Sequence, residues 1–161
     1  MYQSQLKFLL LNGPNLNLLG ERETHIYGET TLAELHSTLS DKATSLHLAL
    51  SCKQSNHEGE LVDWIQACRV TGASPVDGII INPGAYTHTS VAIRDAIMAC
   101  QCPTVEVHIS QLAKRDSFRH HSFVSDVVLG TVSGFGIYGY ELALLALVNH
   151  LQISDIQHTP A

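Results

Sequence analysis

Residues 12–28 read Asn-Gly-Pro-Asn-Leu-Asn-Leu-Leu-Gly-Glu-Arg-Glu-Thr-His-Ile-Tyr-Gly, and the rest of the chain is organised around this stretch. It follows a short apolar run, Leu6 to Leu11, which predicts a buried strand ending in a turn at Asn-Gly-Pro. Thr31 and Glu34 come next, and a hydroxyl residue followed three positions later by a carboxylate marks a helix start. Loops of about fifteen residues in compact domains are usually functional or disordered. We interpret this loop as an active-site lid.

The composition is that of one acidic domain, 1–161. The chain has 161 residues and a formal net charge of −6, which argues against a nucleic-acid partner because such proteins need a basic surface. No apolar run approaches the roughly 18 residues of a membrane helix, so we expect no membrane partner. The first residues lead directly into a strand without a secretory signal, which favours a cytoplasmic protein.

The four cysteines lack the spacing of a zinc ribbon or of a Cys-x-x-Cys motif. Three of them lie in apolar runs. We therefore expect reduced core thiols rather than disulfides or metal ligands. These residues are Cys52, Cys68, Cys100 and Cys102.

Apolar patterning predicts five strands alternating with helices. This alternation is typical of an α/β fold with a parallel sheet covered on both faces. The last helix is apolar nearly all round, so we expect another subunit to cover part of it. The predicted strands are 6–11, 48–54, 76–82, 104–109 and 127–132; the predicted helices are 31–46, one marked by Leu61, Trp64, Ile65 and Cys68, 89–100 and 138–151, with a frayed tail at 152–161.

Polar side chains gather where the predicted strands end. Ligands of open parallel sheets bind outside the carboxyl ends of the strands. The sequence therefore predicts a binding site at this edge. The residues concerned are Asn12 and Asn15, then Ser55, Asn56 and His57, then Asn82 and His88, and finally Glu106, His108 and Ser110.

Glu106 and His108 lie two apart on a strand, so their side chains point the same way. A carboxylate in that position can hold one ring nitrogen of the histidine and leave the other for proton transfer. A lone histidine at a strand end is more often structural. The neighbouring Ser110, Arg115 and Arg119 favour a functional role here.

Tyr27 and Arg22 occupy the predicted lid five residues apart. A phenol has a pKa of about 10 and is a poor base at neutral pH, but a nearby guanidinium lowers that pKa. Alternatively, Tyr27 packs against the lid edge while Arg22 faces water. Spacing alone leaves both interpretations open.

Two other patterns receive structural interpretations. Residues 134–139 match the dinucleotide fingerprint G-x-G-x-x-G, but too little chain follows to supply the ribose-binding acid, so a turn is favoured. Ten histidines suggest zinc, yet His57, His88 and His108 come from separate loops and have hydrogen-bonding neighbours. We therefore expect no metal.

Six motifs in order resemble type II 3-dehydroquinate dehydratase over residues 6–148. The resemblance implies a flavodoxin-like three-layer sandwich with a five-stranded parallel sheet in the order 2-1-3-4-5. It also implies a homododecamer, built as a tetramer of trimers, without metal or cofactor. The motifs are residues 12–20, 21–23 with 27–28, 54–60, 81–90, 106–110 and 118–122.

The activity that the resemblance implies is the dehydration of 3-dehydroquinate to 3-dehydroshikimate through an enolate, in the shikimate pathway or in quinate catabolism. Tyr27 matches the base, and Arg22 the residue that keeps it ionised. Asn15 matches the residue that holds a water against the enolate oxygen. His108, oriented by Glu106, matches the acid that protonates the departing hydroxyl.

The resemblance also implies a set of substrate-binding residues. The substrate carboxylate would lie on Asn82 and the backbone amides of Ile109 and Ser110. His88 and Arg119 match residues that bind the ring hydroxyls. Asp95 would reach across a subunit boundary, and closure of the lid would exclude water.

Two alternatives come from other functional classes. A non-enzymatic flavodoxin-like module that binds flavin or a nucleotide rests on the fold and the glycine fingerprint. A structural oligomer that has lost activity is disfavoured by the retained set Asn15, Arg22, Tyr27, Glu106 and His108.

Overall fold

The structure is a computed structural model that describes residues 5–21, 25 and 28–157, with the backbone alone for 153–157. Its described part contains five strands, four α-helices and short 3-10 turns at Leu16–Leu18, Gly84–His88, Leu112–Lys114 and Ser117–Arg119. The strands are β1 (Lys7–Asn12), β2 (Ala49–Gln54), β3 (Gly78–Asn82), β4 (Thr104–His108) and β5 (Gly130–Ser133), and the helices are α1 (Leu32–Ser45), α2 (Glu58–Ala67), α3 (Val91–Cys100) and α4 (Tyr138–Gln157).

The five strands of the described residues form one sheet in the order β2-β1-β3-β4-β5, with every neighbouring pair parallel. The α/β fold and the strand order expected from the sequence are confirmed. In this register Asn12 pairs with Asn82 at the ends of the two central strands. The order therefore brings polar side chains from β1 and β3 together at the carboxyl edge.

Two hydrophobic cores lie on opposite faces of the sheet. Alternate strand residues point to opposite faces, so Phe8 and Leu10 pack with α1 and α4, while Leu9 and Leu11 pack with α2 and α3. All four side chains are at most 4% exposed. The helices cover both faces, which confirms the three-layer sandwich.

The predicted start of α1 is confirmed by a capping box. The backbone N–H of Glu34 donates to the Thr31 hydroxyl at 3.2 Å, and the N–H of Thr31 donates to the Glu34 carboxylate at 2.8 Å. Both bonds satisfy donors that a helix N-terminus leaves without intrahelical partners. The loop that the sequence predicts to be a lid is therefore followed by a well-defined helix start.

Two predicted boundaries differ from the observed ones by three residues or more. The fifth strand begins at Gly130 rather than 127, because Ser122 accepts the N–H groups of Val124 and Ser125 in a turn and pairing with β4 starts only afterwards. Helix α4 continues to Gln157, although a frayed tail was expected from 152. No glycine or proline interrupts the sequence from 151 to 157, so nothing local ends the helix there.

All four cysteines are free thiols, as predicted. Burial raises the pKa of Cys52 and Cys68 to about 11 and that of Cys102 to about 12, so these groups are protonated at neutral pH. Among the helices that the structure describes, none combines the length and apolar character needed to cross a lipid bilayer.

Candidate active site

The turns that follow β1 and β3 lie against each other. The N–H of Gly13 donates to the carbonyl oxygen of Asn82 at 2.8 Å. A Cβ atom on Gly13 would overlap the backbone carbonyl of Pro83. Glycine is therefore required at this position by close backbone approach, and the two Asn-containing turns form one continuous floor.

Asn15 follows this floor in the left-handed conformation, with φ 67°, which asparagine tolerates better than most residues. Its backbone N–H donates to Asn56 Oδ1 at 2.9 Å. Asn56 is itself held by Gln54 Nε2 at 3.1 Å and, through its carbonyl, by the Tyr86 hydroxyl at 2.7 Å. The residues after β2 thus fix the backbone of Asn15.

Asn82 ends β3 with its side chain 3% exposed. Its Oδ1 accepts from the N–H of Gly84 at 3.1 Å, and its Nδ2 donates to the Tyr140 hydroxyl at 2.8 Å. Tyr140, in α4, was not identified from the sequence. A tyrosine just before the apolar run 142–148 of this helix was the available signal, because a buried phenol needs a hydrogen-bond partner.

Glu106 and His108 form the predicted pair at the end of β4. Glu106 Oε1 lies 2.7 Å from His108 Nε2, and the side chains are 0% and 5% exposed. An ionised carboxylate only accepts hydrogen bonds, so Nε2 carries the hydrogen. This arrangement confirms the predicted contact and leaves Nδ1 free of the carboxylate, while the role of Nδ1 in proton transfer stays a prediction.

Three hydroxyl groups complete the surroundings of Glu106. Thr87 and Ser122 donate to Oε1, the latter at 2.9 Å, and Thr131 donates to Oε2 at 3.1 Å. Burial opposes ionisation, but the hydrogen bond and charge of His108, followed by the hydrogen bonds from Thr87 and Ser122, outweigh it and lower the pKa of Glu106. The sequence placed Thr87 and Ser122 inside its motifs without giving them a role.

His88 closes another side of the site. Its Nδ1 lies 2.7 Å from the carbonyl oxygen of His121, an acceptor, so Nδ1 carries the hydrogen and Nε2 keeps its lone pair. Burial lowers the pKa of His88, and positive charge from Arg119 lowers it further. The ring is therefore a neutral hydrogen-bond acceptor at Nε2.

Two arginines come from the loop after β4. Arg115 donates to the Ser110 hydroxyl at 3.1 Å. Arg119 has its guanidinium 5.0 Å from the Phe118 ring centroid. Its buried Nε has no hydrogen-bond partner among the described residues, and the Asp116 carboxylate pairs with it only at 3.9 Å. A buried donor without a hydrogen-bond partner suits a ligand rich in oxygen.

These groups surround a cavity of about 140 Å³. An apolar cavity of about 150 Å³ can hold a six-membered ring such as benzene, so the volume suits a compact cyclic ligand. Seven of the predicted site residues line it. Glu106 does not, but it is hydrogen-bonded to His108, which does. These lining residues are Asn15, Asn82, His88, His108, Ile109, Ser110 and Arg119.

Among the described residues, one predicted substrate-binding residue lies away from this cavity. Asp95 is exposed on α3 and does not line it. Arg22 and Tyr27 lie outside the described residues. Their predicted roles therefore stay predictions.

The glycine turn at 134–139 closes the end of β4. The N–H of Gly134 donates to the carbonyl oxygen of His108 at 3.1 Å, and that of Gly136 donates to Ile109 at 3.0 Å. Gly134 has φ +89°, which favours glycine. The fingerprint has the structural role that the sequence favoured.

Within the described part of the chain, no cluster of three or more His, Cys, Asp or Glu residues is arranged to hold a metal ion.

Comparison with known proteins agrees with this geometry. The chain is 52% identical to the 3-dehydroquinate dehydratase of Gloeothece citriformis over 96% of its own length and 99% of that protein. It is 55% identical to the catabolic 3-dehydroquinase of Aspergillus oryzae, covering 84% of its own length and 86% of that protein. The crystal structure of type II dehydroquinase from Butyrivibrio crossotus superposes with a TM-score of 0.86 at 44% identity, covering 90% of this chain and 99% of that one.

The family model described as "Dehydroquinase class II" matches residues 6–148, which include both strands and loops of the cavity. Fold, cavity and sequence similarity all lead to the same assignment. The chain belongs to the class II dehydroquinase family.

Proposed function

We propose that this chain dehydrates 3-dehydroquinate to 3-dehydroshikimate through an enolate, as in the shikimate pathway or quinate catabolism. The observation that carries the proposal is the buried Glu106–His108 pair at the wall of a ring-sized cavity. A hydro-lyase needs an acid beside the departing hydroxyl, and this pair supplies one.

His108 acts as that acid. With Nε2–H held by Glu106, a second proton resides on Nδ1, and this proton goes to the hydroxyl that leaves as water. Glu106 keeps the ring in one orientation and stabilises its protonated form. The lowered pKa of Glu106 keeps the carboxylate ionised throughout.

Tyr27 and Arg22 supply the base on the lid. As a phenolate, Tyr27 takes the proton next to the ketone, and Arg22 keeps it ionised by opposite charge. Asn15 holds a water against the developing enolate oxygen. Closure of the lid excludes bulk water and completes the set.

The remaining polar groups bind the substrate. Asn82 and the amides of Ile109 and Ser110 hold its carboxylate. His88 accepts a hydrogen bond from a ring hydroxyl through Nε2, which the bond to His121 leaves available. Arg119 offers its buried Nε–H to a ring oxygen.

The proposed assembly is a homododecamer, a tetramer of trimers, in the cytoplasm, with no metal or cofactor. Asp95, exposed in the single chain, completes the site of a neighbouring subunit. Sedimentation of the purified protein tests the assembly. Asp95→Asn would lower turnover if the residue acts across a boundary, and a fully active monomer would contradict this part of the proposal.

The activity itself is tested on purified protein with 3-dehydroquinate and EDTA. We expect an enone absorbing in the near ultraviolet, at a rate that the chelator does not change. Borohydride should not inactivate the enzyme, because none of the described cavity-lining residues is a lysine. His108→Ala should abolish turnover, while His47→Asn, exposed in the connection between α1 and β2, should not. A yellow protein or tight nucleotide binding without turnover would instead favour the flavodoxin-like module.

A further inference from the structure

A chain of hydrogen bonds crosses the sheet edge beneath the cavity and ends on α1. Asn82 Nδ2 lies 2.8 Å from the Tyr140 hydroxyl, which lies 2.8 Å from Asn12 Oδ1. Asn12 Nδ2 lies 3.1 Å from His36 Nε2. Asn12 and Tyr140 are 0% exposed and Asn82 is 3% exposed. The residues come from β1, β3, α1 and α4, so each of these hydrogen bonds joins residues that are far apart in the sequence.

The donor and acceptor roles in this chain can be assigned from one backbone N–H, although Gly84 and Tyr140 each hold one end of the Asn82 amide. Gly84 N–H can only donate, so the amide of Asn82 presents Oδ1 to it and turns Nδ2 toward Tyr140. The phenol accepts there and gives its single proton to Asn12 Oδ1. Asn12 must then donate through Nδ2, and His36 must accept.

The state of His36 agrees with this direction. Burial lowers the pKa of His36, so the ring is neutral and its Nε2 can accept. Burial likewise raises the pKa of Tyr140, which keeps the phenol neutral and able to donate. All four side chains thus have one compatible arrangement.

This arrangement determines what Asn82 can offer a ligand. Gly84 occupies its oxygen, and Tyr140 takes one of the two hydrogens on Nδ2. Among the described contacts, one N–H hydrogen of Asn82 remains for the cavity that the residue lines. A donor suits an anionic oxygen, whereas the flipped amide would present a carbonyl oxygen and repel it.

We propose that Tyr140 is a positioning residue: it holds the Asn82 side chain so that the amide N–H, and not the carbonyl oxygen, faces the substrate carboxylate. This inference rests on the proposed function. Tyr140 touches no substrate; it acts through Asn82. Asn12 has a supporting part, since it accepts the phenol proton and so prevents Tyr140 from donating to Asn82.

The test is Tyr140→Phe, which keeps the ring in the core and removes the hydroxyl. We expect KM for 3-dehydroquinate to rise by roughly tenfold or more while kcat changes less, because a hydrogen bond to a charged group is weakened. Tyr138→Phe is the matched control: it lies in the same helix, is 54% exposed, and should leave KM unchanged.

Inhibition separates positioning from simple packing. Tyr140→Phe should raise Ki for quinate, which carries the carboxylate, more than Ki for the neutral quinamide. A purely structural role would lower the melting temperature and leave this ratio unchanged. In an Asn82→Ala background the Tyr140→Phe effect on KM should vanish, because the two act as one unit.

Asn12→Leu provides a second variant with Tyr140 intact. In this variant the Tyr140 hydroxyl has only Asn82 left as an acceptor among its described contacts. We expect it to donate to the Asn82 oxygen and so to reverse the Asn82 amide, which should raise KM as in Tyr140→Phe. Unchanged KM in a folded Tyr140→Phe or Asn12→Leu protein overturns the inference. Absence of turnover in the unmodified protein overturns the proposed function instead, so the two failures are distinguishable.

Discussion

Glu106 Oε1 lies 2.7 Å from His108 Nε2 and accepts from Thr87 and Ser122 as well. One buried carboxylate oxygen therefore orients the imidazole and is itself oriented by two hydroxyls from separate loops. The His108 ring is thus held through its Nε2 atom.

Glu106→Gln keeps the shape of this side chain and removes its charge. We expect kcat to fall by about a hundredfold or more, since a general acid contributes roughly 10²–10⁴, with a smaller change in KM. Steady-state kinetics with 3-dehydroquinate measure both. An unchanged kcat would show that His108 needs no carboxylate, and would leave the proton transfer without its proposed support.

Thr87→Val removes one of the hydroxyl donors to the same oxygen. We expect a loss of about 1.5–3 kcal/mol in the free energy of unfolding at neutral pH, typical of a hydrogen bond to a charged group. Thr131→Val is the comparison, because Thr131 donates to Oε2 at 3.1 Å rather than to the oxygen that holds His108. Denaturant unfolding should give both variants a lower free energy of unfolding than the unmodified protein. Steady-state kinetics should show the larger loss of kcat in Thr87→Val.

The pH dependence of stability follows from the lowered pKa of Glu106. The pKa of Glu106 in the folded protein lies below its ordinary value of 4.5. At a pH between the folded and unfolded pKa values, the unfolded chain therefore binds more protons than the folded one. The contribution of Glu106 is therefore complete above pH 4.5 and is lost as pH falls through the folded pKa. Unfolding free energies of the unmodified protein and Glu106→Gln should converge below pH 4.5. A constant gap down to the lowest pH at which both fold would contradict this linkage.

The local signals in the sequence predicted much of this molecule. Buried strands, the capping box at Thr31 and the period-2 spacing of Glu106 and His108 each depend on residues close in sequence, and the structure has all three. The strand order came from the family resemblance. Sequence pattern alone predicted that the polar strand ends would meet.

The partners of the predicted residues could not be found in this way. Tyr140 meets Asn12 across 128 positions and Asn82 across 58. Such contacts depend on how α4 lies against the sheet, and no local pattern encodes that packing. The same holds for Thr131, whose bond to Glu106 requires the pairing of β4 with β5. The late start of β5 has a different cause, the local turn in which Ser122 accepts the N–H groups of Val124 and Ser125.

Asn56→Ala tests whether the residues after β2 hold Asn15 in place. Without Asn56 Oδ1, the Asn15 N–H loses its acceptor at 2.9 Å, and we expect kcat to fall by roughly tenfold. Asn149→Ala, exposed on α4, is the control. In an Asn15→Ala background, Asn56→Ala should have little further effect on kcat, because contacting residues are not additive. Full additivity of the two losses would mean that Asn56 acts elsewhere.

Gly13→Ala and Gly59→Ala form a matched pair with opposite expected signs. A Cβ on Gly13 would overlap the Pro83 carbonyl, whereas a Cβ on Gly59 meets nothing within 4 Å. Gly59 lies inside α2, so alanine there should stabilise the protein by about 0.4–1 kcal/mol by reducing the freedom of the unfolded chain. Gly13→Ala must separate the β1 and β3 turns and should lower both the unfolding free energy and kcat. Thermal melts and turnover at one temperature measure the pair. A Gly13→Ala protein as stable and as active as Gly59→Ala would mean that the two turns need not touch for the site to form.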